Sequence, residues 1–220
     1  YIKLGRSISA GLISEGRLHR GAQGAAGMIG HSRVGEDLLE AVAGADAIAR
    51  EGMAAAQDGR SSYLAQTLGR QGELSVVDIG HAAQLGDLFC LELLGLCGRM
   101  VGEALAPLTN LVNPALIVVG GVVAESGGDS LLVGIREAVS RQSHPMVSRD
   151  LQIVRSQMGA SSGLVGAAQV VVEELFAPHT LQGWIGLGSP LRHPDFQKRL
   201  ERMTASAAAK AAPPAGRVAP

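Results

Sequence analysis

Two glycine-containing segments of the sequence could bring backbone amides against a ligand. Gly120 and Gly121 directly follow the apolar run at residues 116–119. Such a run is typical of a strand buried on both faces, and ligands bind at the carboxyl ends of strands in open α/β sheets. Residues 5–9, GRSIS, form a small-residue loop that could surround a phosphate. Both segments also fit ordinary turns, because neither is a GxGxxG motif.

Two polar side chains could hold a ligand by hydrogen bonds. His31 ends the segment at residues 21–31, which contains four glycines and no periodicity. Backbone this permissive usually lies close to a ligand or to another chain segment. Glu40 is flanked by Leu39 and Ala41, so its carboxylate either points inward or faces water. A lone histidine is more often a hydrogen-bonded structural residue than a ligand contact.

The elements that must position these residues alternate between strands and helices. Extended segments are predicted at residues 1–4 and 9–14, with a turn at Glu15 and Gly16, and strands at 116–119 and 151–155. Helices are predicted at residues 36–42, 45–51, 63–68, 75–84, 87–112 and 129–141, and from the loop at 159–168 to near Phe176. The repeated order of strand, loop and helix implies parallel βα units.

The helix at residues 87–112 is the longest predicted element, and two stripes run along it. Its apolar stripe consists of Cys90, Leu94, Cys97, Val101, Leu105 and Leu108. Its second stripe is small and consists of Gly95, Gly98, Gly102 and Ala106. Because glycine costs about 1 kcal/mol in a helix interior, another backbone is expected to pack against this stripe. Pro107 is expected to kink the last turns.

Length and composition favour a globular protein. The chain has 220 residues, of which 46% are hydrophobic, so it can bury a core. The formal net charge of −1 gives no field that favours nucleic acid or an anionic membrane. No apolar run reaches the roughly 20 residues that span a bilayer, and no signal peptide pattern is seen. The expected location is cytoplasmic, with Cys90 and Cys97 as core thiols too far apart for a disulfide.

The two ends of the chain give further expectations. Because the chain starts on strand residues, a segment N-terminal to it is expected to be missing. Residues 178–203 are expected to form an irregular arm with a short charged helix at 194–203. Residues 204–220 are low in complexity and are predicted to be disordered.

Three stretches of the chain resemble the ROK family, named for its repressors, open reading frames and sugar kinases. Residues 11–31, GLISEGRLHRGAQGAAGMIGH, are similar to the family's GxGxGxIxxGxLxxGxxGxAGExGH region. Residues 109–123 resemble its NxxNPxxIVxGGG strand, and residues 151–168 its closing strand and helix. Residues 1 to about 190 are covered. The ending FAPHTLQGW with its later GSP resembles the tail of actinobacterial ROK regulators.

This resemblance implies an α/β protein with an actin-like ATPase fold, a mixed sheet flanked by helices. Residues 1–177 would form the C-terminal lobe, truncated N-terminally. The family's first phosphate loop, its catalytic aspartate and the winged helix-turn-helix of its regulators would lie upstream, so no catalytic residue is expected here. The resemblance also implies a dimer or tetramer built through this lobe, with DNA contacted only through the absent N-terminal domain.

The nucleotide loop departs from the family pattern. Family kinases have a phosphate loop like STGIG where this chain has GRSIS. Exchanging glycines for serines and adding Arg6 crowds a loop whose amides must approach phosphate. The resemblance therefore implies a vestigial nucleotide loop without bound ATP. Its residues are Gly5, Ser7, Ser9, Gly120 and Gly121.

The sugar and zinc motifs are also altered. In the family's ExGH motif the glutamate that contacts sugar hydroxyls is replaced by Met28, a degenerate sugar position, while His31 remains. The CxCGxxGCxE zinc motif has lost its cysteines, and one histidine cannot make a tetrahedral zinc site, so no metal is expected. Glu40 matches the terminal glutamate of that motif. The resemblance therefore implies that His31 and Glu40 bind sugar.

Three functions remain open. The first is a sugar-sensing lobe of a ROK-type transcriptional regulator that binds a sugar or sugar phosphate weakly. The second is a fragment of a glucokinase-like sugar kinase. It would be inactive, because phosphoryl transfer needs a catalytic base and a phosphate cradle, and the resemblance implies that the first is absent here and the second is damaged. The third is a structural remnant that binds nothing. An upstream helix-turn-helix would favour the first function, and an upstream phosphate loop with an aspartate would favour the second.

Overall fold

The computed structural model describes residues 1–211, apart from the side chains of Arg199, Met203 and residues 205–211. The chain divides into two compact units, Tyr1–Ala160 and a second unit that begins at Ser161. The predicted C-terminal lobe at residues 1–177 is therefore divided between the two. The last part of the predicted disordered tail, residues 212–220, lies outside the described residues.

The described chain contains short strands and longer helices. The strands are β1 (Ile2–Leu4), β2 (Ile8–Ala10), β3 (Ile13–Ser14), β4 (Arg17–Leu18), β5 (Arg33–Val34), β6 (Asp37–Leu38), β7 (Leu116–Gly120) and β8 (Gln152–Arg155). The α-helices are α1 (Leu39–Ala43), α2 (Ala45–Gln57), α3 (Ser62–Gln71), α4 (Val76–Gln84), α5 (Leu88–Val112), α6 (Val122–Gln142), α7 (Pro145–Ser148), α8 (Ser162–Phe176), α9 (Pro178–Ile185) and α10 (Pro194–Ala211). Three 3-10 helices lie at Ile29–His31, Gly159–Ser161 and Pro190–Arg192.

The main sheet has the strand order β2-β1-β7-β8. β2 is antiparallel to β1, whereas β1, β7 and β8 are parallel. The sheet is therefore mixed, and the predicted parallel βα units are confirmed. Since β1 and β7 run in the same direction, the turns that follow them lie at the same edge of the sheet.

One face of the sheet forms the core of the first unit. Ile2 and Leu4 of β1 and Val119 of β7 are buried in the same apolar cluster as Leu105 of α5 and Ile135 of α6. This alternation follows from the strand period, because every second side chain of a strand points to the same face.

The small stripe of α5 packs against α6. A Cβ added at Gly98 would overlap the Leu131 carbonyl, and one at Gly102 would lie 2.6 Å from the Ile135 oxygen and 2.7 Å from Cβ of Ala138. The expected close approach of another backbone is confirmed at these two positions. Gly134 of α6 is equally restricted, since its Cβ would overlap the carbonyl of Gly95.

The two cysteines of α5 are buried and unpaired. Burial, together with the nearby Asp87 carboxylate, raises the pKa of the Cys90 thiol to about 12. Burial and the charge of Glu51 likewise raise the pKa of Cys97 to about 12. Both thiols are therefore protonated at neutral pH, and their burial confirms the prediction that they are core residues. The helix that carries them continues through Pro107 to Val112.

Several predicted boundaries differ from the structure. The helix expected at residues 36–42 begins only at Leu39, because Asp37 and Leu38 form β6. The helix expected at 129–141 is present as the second part of α6, and the structure adds a preceding helical stretch from Val122 that is interrupted at Gly128, whose φ of 55° and ψ of −143° are not helical.

In the second unit, the expected irregular arm contains α9, in which Trp184 Nε1 donates to the Leu175 oxygen over 2.9 Å. α10 extends from Pro194 to Ala211, beyond the short helix expected there. Within residues 1–211, none of the helices is both long and apolar enough to cross a membrane.

One hydrogen-bond network joins the starts of α3 and α5. The Ser61 hydroxyl accepts from the Leu64 amide over 3.1 Å and donates to the Asp87 carboxylate over 2.6 Å. Asp87 in turn accepts from the Cys90 amide over 3.1 Å. Partial burial raises the pKa of Asp87, but the hydrogen bonds from Ser61 and Cys90 outweigh it and lower the pKa below its ordinary value.

We expect Asp87→Ala to lower the free energy of unfolding by about 1–2 kcal/mol at pH 7, because it removes a helix cap and strands the buried Ser61 hydroxyl. A carboxyl with a lowered folded pKa stabilises the fold above its unfolded pKa of about 3.9, and this contribution is lost as the pH falls through the lower folded pKa. Urea unfolding at pH 7 and below pH ~3 should show the difference from wild type shrinking in acid. Asp150→Ala, at an exposed carboxylate, is the control. Equal effects of the two substitutions at pH 7 would contradict the network.

Candidate functional site

His31 and Glu40 lie next to each other. The Nε2 atom of His31 is 3.6 Å from Oε1 of Glu40, and the side chains are 60% and 28% exposed. Glu40 is thus the more enclosed member, and His31 reaches further into solvent. A carboxylate accepts hydrogen bonds, and an imidazole can donate or accept according to its protonation. Together the exposed imidazole and the half-buried carboxylate form a pair suited to neighbouring hydroxyl groups of a ligand.

A short hairpin brings the two residues together. His31 ends a 3-10 helix, and β5 and β6 follow as an antiparallel pair that turns at Gly35, whose φ is 64°. At the base of this hairpin the Leu39 amide donates to the Ser32 oxygen over 2.9 Å. The chain therefore returns after a few residues and starts α1 beside His31. This hairpin occupies the place where the resemblance puts a longer cysteine-bearing loop.

Gly30 provides the space in which Glu40 lies. A Cβ added at Gly30 would be 2.5 Å from the Ile8 oxygen and 2.7 Å from Oε2 of Glu40. Any side chain there would push against β2 on one side and against the carboxylate on the other. The close approach of β2 and of the Glu40 carboxylate therefore explains why residue 30 is a glycine, which the sequence alone did not reveal.

The glycine-rich segment at residues 21–31 packs against β2. The Ala10 amide donates to the Gly27 oxygen over 2.7 Å, and Gly27, with φ of 90°, leaves no room for a Cβ beside the Ala10 carbonyl. Of the two explanations for this permissive backbone, proximity to another chain segment holds at Gly27 and Gly30. Met28 between them is exposed, and its oxygen accepts from the His31 amide over 3.2 Å.

The predicted phosphate loop is a tight hairpin between β1 and β2. Within it the Gly5 amide donates to the Ser7 oxygen over 3.3 Å, so this amide is turned toward its own loop. Arg6 is exposed, and its Nε lies 3.1 Å from the Asp46 carboxylate. Ser9 is in β2, paired with Lys3 of β1. The loop therefore has the form of an ordinary hairpin turn, the alternative left open by the sequence.

The second glycine segment lies beside this hairpin. Gly121, with φ of 92°, precedes α6 and approaches the Leu4 carbonyl so closely that a Cβ there would overlap it. Gly120 is covered by the phenol of Tyr1, whose hydroxyl a Cβ at Gly120 would overlap. The structure thus brings Gly5, Gly120 and Gly121 to one edge of the sheet, but packs the chain's own atoms against them.

Gly44 connects the β1–β2 hairpin to the His31–Glu40 pair, and the sequence did not reveal this connection. The Gly44 amide donates to the Glu40 oxygen over 3.2 Å at the end of α1, and the next amide, of Ala45, donates to the Gly5 oxygen over 2.9 Å. A Cβ at Gly44 would lie 3.0 Å from the Arg6 oxygen. The feature of the sequence that could have indicated this connection is the glycine that directly follows the short apolar run of α1.

The residues around His31 do not fit the zinc that the resemblance associates with this motif. Zinc takes four nitrogen, sulfur or oxygen ligands in a tetrahedron. No cysteine lies between His31 and Glu40, and Cys90 and Cys97 are buried in α5. Within residues 1–211, no group of three or more histidine, cysteine, aspartate or glutamate side chains is placed to hold a metal. The absence of stoichiometric zinc stays a prediction.

Comparison with known proteins gives a family and two kinds of relative. The model of the ROK family matches residues 1–174. A glucokinase of Halalkalibacterium halodurans is 30% identical over 184 residues, which cover 79% of this chain and 56% of that protein. The DNA-binding transcriptional dual regulator NagC of Escherichia coli K12 is 29% identical over 180 residues, covering 77% of this chain and 43% of the regulator.

A solved structure also points to the ROK family. The crystal structure of a ROK family glucokinase from Streptomyces griseus in complex with glucose and AMPPNP superposes with a TM-score of 0.65 at 28% identity, covering 77% of this chain and 58% of that one. The chain spans about half the length of the curated relatives that it matches. Special closeness to actinobacterial regulators stays a prediction. The chain belongs to the ROK family and has its actin-like ATPase fold, an α/β structure with a mixed sheet flanked by helices.

Proposed function

We propose that this chain is the sugar-sensing effector lobe of a ROK-type transcriptional regulator. The observation that carries the proposal is the contrast between the two halves of the site. His31 and Glu40 form a pair 3.6 Å apart, in which the exposed imidazole and the half-buried carboxylate could both bond ligand hydroxyls. The neighbouring glycine turns are packed against the chain's own Tyr1 and Leu4. A lobe that keeps sugar contacts and lacks a phosphate cradle is suited to sensing.

The sugar contacts of this proposal use hydrogen bonds to a polyol. The Glu40 carboxylate accepts from one hydroxyl, and His31 bonds the next, at a spacing of 3.6 Å that suits adjacent hydroxyls. Met28, which is exposed, offers no such bond. We therefore expect weak affinity, as for a site with few polar contacts. In this proposal a separate helix-turn-helix domain contacts DNA, and the lobe associates with further copies.

The alternative is a lobe of a glucokinase-like enzyme. It is favoured by the 30% identity to a glucokinase. Phosphoryl transfer requires a cradle of backbone amides for the phosphates and a residue that takes the hydroxyl proton. At the β1–β2 hairpin the Gly5 amide donates to the Ser7 oxygen within the loop, which speaks against that cradle. We therefore place this function second.

Sugar titration tests the proposal directly. Calorimetry with glucose, N-acetylglucosamine, N-acetylmannosamine and their 6-phosphates is expected to show saturable binding of at least one. His31→Ala and Glu40→Gln should each weaken it by about tenfold or more, the loss of a hydrogen bond to a charged or polar partner.

Matched controls are His19→Ala and Glu73→Gln, at exposed positions of the same residue types. They should leave sugar affinity unchanged. Wild-type protein that binds none of these compounds, or binding that survives both site substitutions, would contradict the sensor assignment.

Phosphoryl transfer separates the sensor from the alternative. We expect no phosphorylation of these sugars with Mg-ATP above background, and none after Met28→Glu, because that substitution supplies neither a base nor a phosphate cradle. A coupled assay that detects ADP checks this, with an active ROK glucokinase as positive control. ADP production that depends on added sugar would favour the kinase.

A further inference from the structure

A cleft of about 180 Å³ lies where α6 and α7 approach β8. It is small, because pockets for drug-sized ligands are typically about 300–1,000 Å³. The residues that line it are Arg136, Val139, Ser140, Ser148, Leu151 and Ile153. Arg136 is the one charged residue among these, so the cleft presents a positive charge with no acidic side chain in its wall. Neither residue of the His31–Glu40 pair belongs to it.

The guanidinium of Arg136 is held along one edge and free along another. Its Nε and Nη2 atoms donate to the Ile153 oxygen over 3.1 Å and 2.7 Å. The ion pairs among the described residues do not involve Arg136. A guanidinium has five N–H groups, so the two on Nη1 and one on Nη2 remain without a partner in the described chain. Such a pair of terminal nitrogens is the fork that binds a carboxylate or phosphate through two parallel hydrogen bonds.

Ser140 supplies a second hydrogen-bond donor on the same side of α6. It follows Arg136 by four positions, and residues with this spacing are neighbours on a helix surface. Its side chain is exposed, and its hydroxyl makes no hydrogen bond within the described chain. The other hydroxyl of the cleft, that of Ser148, already donates to the His144 oxygen over 3.3 Å. The free donors of the cleft are therefore the Arg136 fork and the Ser140 hydroxyl, which together suit an anion.

The remaining wall of the cleft is apolar. Val139 is 1% exposed and Ile153 is 7% exposed, and both belong to the core cluster, against which the half-buried Leu151 packs. An inorganic phosphate would set charged oxygens against these side chains and bring up to two negative charges to a single guanidinium, and burying an unpaired charge is costly. A singly charged anion that also carries hydrocarbon matches both parts of the wall.

We propose that this cleft binds a small monocarboxylate with a short aliphatic chain. The two carboxylate oxygens accept from Nη1 and Nη2 of Arg136, and one of them also accepts from the Ser140 hydroxyl. The aliphatic chain contacts Val139 and Leu151. Because the Ile153 oxygen already holds the guanidinium, little side-chain freedom is lost when the ligand binds.

The volume of the cleft sets the length of the ligand. If each non-hydrogen atom takes about the 30 Å³ of a water molecule, the cleft holds about six such atoms. A saturated carboxylate of that size is butyrate, with four carbons and two oxygens. Sugars and nucleotides are too large for the cleft, so this site is separate from the proposed sugar contacts at His31 and Glu40.

Titration of the full chain with sodium butyrate at constant ionic strength tests the proposal. The NMR signal of the Arg136 Nε–H group, assigned from its loss in Arg136→Gln, should shift saturably with a dissociation constant of about 1 mM or below. Butyramide has the same shape without the charge, and inorganic phosphate has charge without the hydrocarbon. Each should bind at least about tenfold more weakly than butyrate.

Two substitutions and a control locate the site, with butyrate affinity measured by calorimetry. Arg136→Gln and Ser140→Asp should each weaken binding by about tenfold or more. Ser140 is exposed and unpaired, so its variant keeps the test decisive even if Arg136→Gln destabilises the fold. Arg70→Gln is the matched control, because Arg70 Nε also donates to a backbone oxygen, that of Gln66, over 3.4 Å. It should bind butyrate as wild type does.

Four outcomes would each overturn the proposal. They are a wild-type protein without saturable butyrate binding up to about 20 mM, equal affinity for butyrate and butyramide, tighter binding of phosphate than of butyrate, and wild-type butyrate affinity in a folded Ser140→Asp protein.

Discussion

Replacing Gly98 with valine is expected to lower the free energy of unfolding by at least about 3 kcal/mol, the upper range for overpacking of a filled core. The reason is the contact between α5 and α6. A Cβ at Gly98 would overlap the Leu131 carbonyl and lie 3.2 Å from Cα of Gly134. Both are backbone atoms of a buried helix, so the helices must separate to make room. Valine adds two methyl groups to that conflict.

Urea or thermal unfolding measures this loss, and Gly69→Ala is the matched control. Gly69 lies in α3 with no atom within 4 Å of its missing Cβ. Alanine there should stabilise the fold by about 0.5–1 kcal/mol through helix propensity. Because a domain of this size has a stability of about 5–15 kcal/mol, Gly98→Val should leave a marginal protein. Similar changes at both positions would show that α5 and α6 do not pack through Gly98.

Gly30→Ala is expected to remove sugar binding more completely than loss of either polar side chain. Its Cβ would lie 2.5 Å from the Ile8 oxygen and 2.7 Å from Oε2 of Glu40. Glu40 can rotate away, but the β2 backbone cannot, so the 3-10 helix that carries His31 must move as well. Both polar groups are then displaced from their common position. We expect sugar affinity to fall by about a hundredfold, the sum of two lost hydrogen bonds.

Calorimetry with the sugar that binds wild type measures this effect. Gly166→Ala in α8, where no atom lies within 4 Å of the missing Cβ, is the control and should bind as wild type does. Circular dichroism confirms that the Gly30 variant is folded. A folded Gly30→Ala protein with wild-type affinity would show that the spacing of His31 and Glu40 does not govern binding.

Local periodicity predicted the parts of the fold that rest on long repeated patterns. The buried stripe of α5 from Cys90 to Leu105 repeats over four turns, so its burial could be foreseen. The apolar run of β7 and its parallel pairing with β8 followed from the order of elements. The small stripe also correctly indicated a neighbouring backbone, although only the structure identifies that neighbour as α6 at Gly98 and Gly102.

Short elements were harder to predict because tertiary contacts decide them. Asp37 and Leu38 have a pattern compatible with a helix, but the turn at Gly35 and the pairing with Arg33 and Val34 place them in β6. The first turns of α6 were hidden by Gly127 and Gly128, which are poor helix formers, and the helix is interrupted at Gly128, whose φ of 55° and ψ of −143° are not helical. In neither case does a repeated pattern extend over enough residues to determine the secondary structure.

The candidate site illustrates the same limit. His31 and Glu40 are nine positions apart, a spacing that matches neither one helix face nor one strand face. Family resemblance suggested both residues, but their proximity depends on the hairpin of β5 and β6 between them. Sequence alone did not show that Tyr1 lies over Gly120. Contacts between residues that are far apart in the sequence leave no pattern in the local sequence.

The most direct test of the sensor assignment is the behaviour of the His31 imidazole during a sugar titration. The chain has 6 histidines, and the NMR signal of His31 can be assigned from its loss in His31→Ala. With the sugar that binds in calorimetry, we expect this signal to shift saturably with the same dissociation constant, and that constant to rise by about tenfold or more in Glu40→Gln. A sugar that binds while the His31 signal stays in place, or that moves another histidine instead, would contradict a site at His31 and Glu40.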